Sequence, residues 1–210
     1  MPVNYNNLKE INNTISNYDK ARLMAVTKNR ETYDVKELIK KGVTLFGENR
    51  VQEAQKKFHL IDRQCLELHL IGPLQTNKVK IALQVFNTIQ SLDREKLVQE
   101  IKKYIENEIS ITSSFYIQVN IGNETQKSGI QPSDLKDFYH FCIDNDLIIE
   151  GLMCIPPNDD KAEKYFKKMI ALKNIINTDL KLSMGMSNDY KIALVNKSNI
   201  VRIGSLLFGR

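Results

Sequence analysis

The sequence predicts an α/β protein built as a (β/α)8 barrel with one extra helix at its N-terminal end. Three observations carry this reading. Short, β-branched apolar runs alternate with stretches of helical period along the chain. Eight such runs can be counted. Several are continuously apolar, the pattern of strands covered on both faces. Strands separated by helices are joined by crossovers and run parallel, and eight of them close most simply into a barrel. The 210 residues lie at the short end for that fold. No low-complexity or Pro/Gly-rich linker divides them, so residues 1–210 read as one domain. An open doubly wound sheet is the alternative. Against it, Thr27-Lys28-Asn29-Arg30 stands after the first strand where a Gly-rich fingerprint would be expected.

The elements follow in order. Leu8, Ile11 and Ile15 recur at helical spacing and mark a leading helix, expected to cover the barrel floor. The first strand is read at 22–27. Val35, Leu38 and Ile39 then share a helix face, and Gly42 follows as a C-terminal stop. The second strand, 44–47, precedes the stripe Val51, Ala54 and Phe58. The third, 67–71, precedes Val79, Ala82, Leu83 and Phe86. The fourth, 88–92, is followed by Asp93, a candidate N-cap for the helix carrying Leu97, Val98, Ile101 and Tyr104. After the fifth, 115–120, Pro132 and Ser133 open a helix with Leu135, Phe138, Tyr139 and Cys142 on one side. The sixth, 148–155, leads to a long stripe of Ala162, Tyr165, Phe166, Met169 and Ile176. The seventh, 182–184, leads to Tyr190, Ala193 and Leu194, and the eighth is 200–204.

Composition narrows the function classes. With 42% apolar residues the chain has the usual globular share. Cys65, Cys142 and Cys154 are scattered, without zinc or redox spacing, and read as reduced thiols. His59, His69 and His140 have no metal spacing either, and His69 reads as a hydrogen-bonded interior residue. The polar, Asn-rich start holds no signal peptide, and no run approaches the ~20 apolar residues of a membrane span. A cytoplasmic location is therefore expected. The net charge of +5 raises the question of nucleic acid. The basic pairs Lys40-Lys41, Lys56-Lys57, Lys102-Lys103 and Lys167-Lys168 are dispersed in amphipathic stretches and read as solvated helix faces, so no nucleic-acid partner is expected.

In a parallel barrel, reactive groups stand at the C-terminal strand ends. That rule nominates Lys28, Glu48, Asn49, Gly72, Asn120, Pro156, Ser187, Gly204 and Ser205. Lys28 ends an apolar run, so its side chain is expected in the barrel mouth, where an amine is poised to attack a carbonyl. The plainer alternative is a lysine that snorkels to solvent. Ser187 can cap the helix that follows, and Gly204 and Ser205 offer close backbone approach and a hydroxyl. Each alone is an ordinary cap or turn. Together, in the loops after strands seven and eight, they favour a phosphate. Arg202 shares a strand face with Gly204 and is expected to point inward, where a buried charge needs a ligand atom or a carboxylate such as Glu48.

The same residues carry a family likeness. Ala25-Val26-Thr27-Lys28, Phe46-Gly47-Glu48-Asn49 with Val51-Gln52-Glu53, the run from His69 to Lys78, Gln118-Val119-Asn120, Lys127-Ser128-Gly129-Ile130, Gly151-Leu152-Met153, Ser183 to Ser187 and Val201-Arg202-Ile203-Gly204 occur in order over almost the whole chain. So arranged, they resemble the pyridoxal phosphate homeostasis proteins (the YggS/PROSC family). The resemblance implies a TIM-type barrel like the N-terminal domain of alanine racemase, holding pyridoxal 5′-phosphate. Lys28 matches the family lysine that forms the Schiff base. Ser187, Gly204 and Ser205 match positions that hold the phosphate, Arg202 the arginine facing the pyridine nitrogen, and Asn49 a residue lining the cofactor face. Lys127 matches a family lysine associated with cofactor transfer. Arg30 stands where the family often has a second lysine, Leu68 where it has an aromatic, and no basic tail follows Arg210.

Members of that family are cofactor carriers or regulators. The resemblance also implies the carrier reading: a racemase needs a second base opposite the lysine, and in the barrel racemases that this chain resembles it comes from an added domain not expected here. An arginine at the pyridine nitrogen disfavours its protonation and weakens the ring as an electron sink. The expectation is a monomer or weak dimer that passes its cofactor to apo-enzymes. A single-domain amino-acid racemase or decarboxylase is the second possibility, and a cofactor-free RNA- or protein-binding barrel the third.

Overall fold

The computed structural model describes residues 3–105 and 110–209. Eight strands form a closed barrel in chain order: β1 (Arg22–Val26), β2 (Leu45–Glu48), β3 (Glu67–Leu70), β4 (Thr88–Leu92), β5 (Ser114–Val119), β6 (Ile149–Cys154), β7 (Lys181–Ser183) and β8 (Ile200–Ile203). All pairings are parallel, and β1 closes the ring by pairing with both β2 and β8. The helices are α1 (Tyr5–Ile15), α2 (Thr32–Lys40), α3 (Val51–Phe58), α4 (Val79–Val85), α5 (Glu95–Ile105), α6 (Leu135–Asp144), α7 (Ala162–Ile176), α8 (Tyr190–Val195) and the single turn α9 (Ser205–Phe208). No helix among the described residues is long and apolar enough to cross a membrane.

Two apolar regions hold the barrel. The larger lies between strands and helices, where the sequence stripes meet, as in the edge-on contact of Phe46 with Phe58 at 5.7 Å. Each large side chain buried there contributes about 1.5–3 kcal/mol of transfer free energy. The smaller, inside the barrel, is made by Met24, Leu45, Tyr116, Met153 and Ile200. Gly47 serves it directly: a Cβ there would fall 2.6 Å from Met24 Sδ. Gly42 stops α2 as its position suggests, with φ +82° and the Val43 N–H returning to the Leu38 carbonyl.

The leading helix is where the sequence expectation fails. α1 does not cover the floor; it stands in the outer ring between α8 and α2. Glu10 pairs with Lys191 at 3.1 Å, and the Tyr5 hydroxyl donates to Glu37 at 2.8 Å. The Asn4 N–H and the Asn7 amide donate to the α9 carbonyls of Leu207 and Leu206, at 2.7 and 2.8 Å. The reason is packing. α9 is too short to cover the seam between β8 and β1, and the buried face of Leu8, Ile11 and Ile15 covers it instead. The floor stays open as a cavity of about 480 Å³ lined by Arg22, Glu67, His69, Tyr116, Glu150 and Lys181, among others. Asp93 is not the cap expected either: it pairs with Arg94 at 2.5 Å, two residues before α5 begins, and among the described residues no α5 N–H donates to it.

Candidate functional site

At the opposite end of the barrel, past the C-terminal strand ends, lies a cavity of about 410 Å³. Lys28, Asn49, Ser187, Arg202, Gly204 and Ser205 all line it, with Val26, Ile71, Ile155, Pro156 and Asp189 among their neighbours. The fold explains the convergence, because each sits at or just after a strand end. Lys28 lies two residues past β1, in a turn where Asn29 takes φ +57°. That turn carries the residue to the rim, so Lys28 is exposed rather than sunk in the mouth as its apolar run suggested. Asn49 follows β2, and Gly72 lets the β3 loop lie against it: a Cβ on Gly72 would fall 2.2 Å from the Asn49 carbonyl oxygen. The close approach expected of Gly72 is therefore to backbone.

Arg202 points into the barrel, but Glu48 is not its partner. Its Nη1 donates to the Ser183 carbonyl at 2.6 Å and to Ser183 Oγ at 2.9 Å, and its Nη2 to the Cys154 carbonyl at 2.7 Å. Among the described residues no carboxylate accepts from it. A cation that is 3% exposed and hydrogen-bonded to neutral oxygens, with the Asp189 carboxylate acting on it only through space, favours an anionic or electron-rich group in the cavity beside it. Burial pushes the Cys154 thiol up to about 12, so it supplies no charge. The chain of bonds continues inward. Ser183 Oγ accepts from an obligate donor, so its own proton goes to Gln90 Oε1 at 2.7 Å. The Gln90 amide then donates to His69 Nδ1 at 2.9 Å, which leaves the ring hydrogen on Nε2.

Glu48 belongs to another cluster, which the sequence reading missed. Its Oε1 accepts from Thr27 Oγ1 and from Lys57 Nζ, each at 2.6 Å. Lys57 Nζ donates also to the Thr27 carbonyl at 2.5 Å and to Glu53 Oε1 at 3.1 Å. Lys57 is 5% exposed, which corrects its reading as part of a solvated face; only its neighbour Lys56 points outward. The signal available was the Glu53–Lys57 spacing of one helical turn, on the side of α3 that carries Ala54 and Phe58. Burial pushes the Glu48 carboxyl upward, against the pull of Lys57 and Thr27.

The loops after β7 and β8 complete the mouth. Gly185 takes φ +95°, and a Cβ there would meet Ala193 at 2.5 Å, so this turn requires glycine. Ser187 does not cap α8, which begins at Tyr190. Asp189 organises the loop instead, its Oδ1 accepting from the Met186 N–H at 2.5 Å. The backbone N–H groups of Ser187, Asn188 and Ser205 donate to no acceptor among the described residues, which leaves a set of donors at one end of the cavity. Lys127 stands apart. It lines an adjoining cavity of about 290 Å³ that shares Asn49, Ile71 and Ile155, and its Nζ pairs with Glu124 at 2.5 Å and the Pro156 carbonyl at 3.2 Å.

A closed parallel barrel with a rim lysine after β1 and donor-rich loops after β7 and β8 defines the class: the chain belongs to the alanine racemase N-terminal domain family, whose model matches residues 5–210. Within it the chain is a member of the pyridoxal phosphate homeostasis protein family. It is 37% identical to the pyridoxal phosphate homeostasis protein of Aquifex aeolicus over 198 residues, covering 90% of this chain and 86% of that protein. Among solved structures it is similar to PipY of Synechococcus elongatus PCC7942 without PLP, with TM-score 0.87 and 30% identity over 97% of this chain and 99% of that one. The same protein with PLP bound matches with TM-score 0.84, 30% identity and the same coverage.

Proposed function

We propose that this barrel binds pyridoxal 5′-phosphate as a Schiff base on Lys28 and serves as a carrier of the cofactor, buffering it or delivering it to apo-enzymes. The observation that carries the reading is the convergence of Lys28, Asn49, Ser187, Arg202, Gly204 and Ser205 on one cavity. The residues present fit the group. The unused amides of Ser187, Asn188 and Ser205, with the Ser187 and Ser205 hydroxyls, suit a phosphate. Arg202, buried and without a carboxylate, suits the ring nitrogen. The Lys28 amine at the rim is placed to condense with an aldehyde, releasing water. Lys127, in the adjoining cavity, is placed to receive a cofactor that leaves.

When bound, the cofactor supplies an electrophilic aldehyde and a conjugated ring. The protein's contribution is to hold it and to leave the bond to Lys28 reversible. Among the described residues that line the cavity, the ionisable ones are Lys28, Asp189 and Arg202. Asp189 is engaged with the Met186 amide and Arg202 with three oxygens, so neither is a free base facing Lys28. This supports a carrier over a racemase or decarboxylase. The test is to load the protein with pyridoxal 5′-phosphate and incubate it with individual L-amino acids. Transfer of the cofactor to an apo-enzyme without racemisation or decarboxylation is the expected result, and turnover well above that of free cofactor overturns the carrier reading.

A further inference from the structure

The strongest unassigned feature is the buried cluster of Lys57, Glu48 and Glu53. Its bonds end on both peptide units that flank Lys28. On one side Lys57 Nζ donates to the Thr27 carbonyl, whose carbon is bonded to the Lys28 nitrogen. On the other the Asn29 N–H, attached to the Lys28 carbonyl carbon, donates to Glu53 Oε1 at 2.5 Å. Lys57 joins the two arms by its own contact with Glu53, and Glu48 fixes the first arm again through the Thr27 hydroxyl. The backbone angles of Lys28 are thereby held from both ends while its side chain lies open at the rim.

Energetics sharpen the point. A lysine and a glutamate buried to this degree (4% and 0% of the side chains exposed) add little net stability over apolar residues of the same volume. Glu48 Oε2 is buried without a partner, a further cost. An apolar pair would pack α3 on the barrel equally well, but it would leave the Thr27 carbonyl and the turn it starts unheld. We infer that Lys57, with Glu48 and Glu53, is a positioning residue for Lys28: the clamp aims the exposed amine across the cavity and so sets how readily it condenses with the cofactor aldehyde, without touching the ligand. This deepens the function proposed above and rests on it.

The experiment separates aim from grip with two probes. Pyridoxal 5′-phosphate reports condensation, through its visible band and the borohydride-trapped adduct on Lys28. Pyridoxine 5′-phosphate has no aldehyde and reports only the hold on ring and phosphate. The variants are Glu48→Gln/Lys57→Met, which removes both buried charges together, and Glu53→Ala, which cuts the second arm at a half-buried site that the core does not need. A small misaim of a reacting group costs on the order of ten- to a hundredfold in rate. The expected result is a loss of that size in condensation for the double variant and a smaller one for Glu53→Ala, with pyridoxine 5′-phosphate affinity unchanged within about twofold. Wild-type condensation in either folded variant, or equal loss with both probes, overturns the positioning role. Should the wild type itself yield no adduct on Lys28, the carrier reading falls first and takes this inference with it.

Discussion

The two ends of the barrel are both polar, and they are polar in different ways. At the floor the charges nearest the barrel axis are paired with opposite charges. Arg22 forks onto Glu67 at 2.9 and 2.8 Å, Lys181 pairs with Glu150, and Ser114 adds a hydrogen bond to Glu150 at 2.8 Å. At the mouth Arg202 meets only neutral oxygens, and three amides of the last loops have no acceptor among the described residues. The floor offers its central cations carboxylates of the same chain, whereas the mouth carries surplus donors. The floor cavity is the larger, about 480 against 410 Å³. Size therefore does not single out either end, and it is the balance of donors and acceptors that favours the mouth.

That contrast can be broken or sharpened by experiment, beginning where the effect is largest. Lys28→Ala abolishes the borohydride-trapped adduct and its visible band, while weak phosphate-dependent binding survives; an adduct of unchanged yield on another lysine would contradict the site. Arg202→Met leaves the Ser183 and Cys154 oxygens without their donor, so it lowers stability by about 1–3 kcal/mol in chemical denaturation and weakens pyridoxine 5′-phosphate as well. Ser205→Ala removes one hydroxyl from the cavity lining that is proposed to hold the phosphate and weakens binding about fivefold, or about 1 kcal/mol, in a titration with either probe.

Glu67→Gln, at the floor, leaves cofactor affinity untouched and changes the dependence of stability on pH. The His69 Nε2–H at 3.6 Å and the Arg22 fork hold the Glu67 carboxyl at about 2, down from an ordinary 4.5, against the upward push of partial burial. A depressed carboxyl stabilises the fold fully above the unfolded value, and that contribution drains away as pH falls from about 4.5 towards about 2. His69 adds a separate window. Burial lowers its pKa and keeps it neutral, so stability falls once pH drops below its ordinary 6.5 and the unfolded ring takes up a proton first. Urea midpoints should flatten in the lower window in Glu67→Gln, while the fall below 6.5 steepens, because losing the carboxylate removes what raises the His69 pKa and lowers it further.

Much of this was readable in the chain. The eight strands, the Gly42 stop and the residues that meet at the mouth follow from apolar periodicity and from the rule that strand ends carry function. What escaped the reading was pairing in space. Lys57 follows Lys56 and looks like half of a solvated basic pair, yet α3 turns it inward onto Glu48, a partner from another element. For Arg202 the sequence leaves a ligand atom or a carboxylate such as Glu48 open; the carboxylate is not its hydrogen-bond partner, and two backbone carbonyls and the Ser183 hydroxyl are. Ser187 has the residue type of a cap, but Asp189, two positions on, reaches the loop amide first. The leading helix was sent to the floor because nothing in its stripe says which seam it covers. That depends on α9 being one turn long, a property of the other end of the chain.

The seam between β1 and β8 has a consequence for how the protein is made. The strand that leads to Lys28 leaves the ribosome early, whereas its neighbour β8 and the loops proposed to hold the phosphate are synthesised last. Ring closure joins segments almost a full chain length apart, so a growing polypeptide displays its reactive amine long before it owns the grip for the anion. On the proposed reading, loading with the vitamin-derived ligand is thus an event of the finished chain, and a truncated product, however well its early strands fold, would present the amine without the means of retaining what it captures.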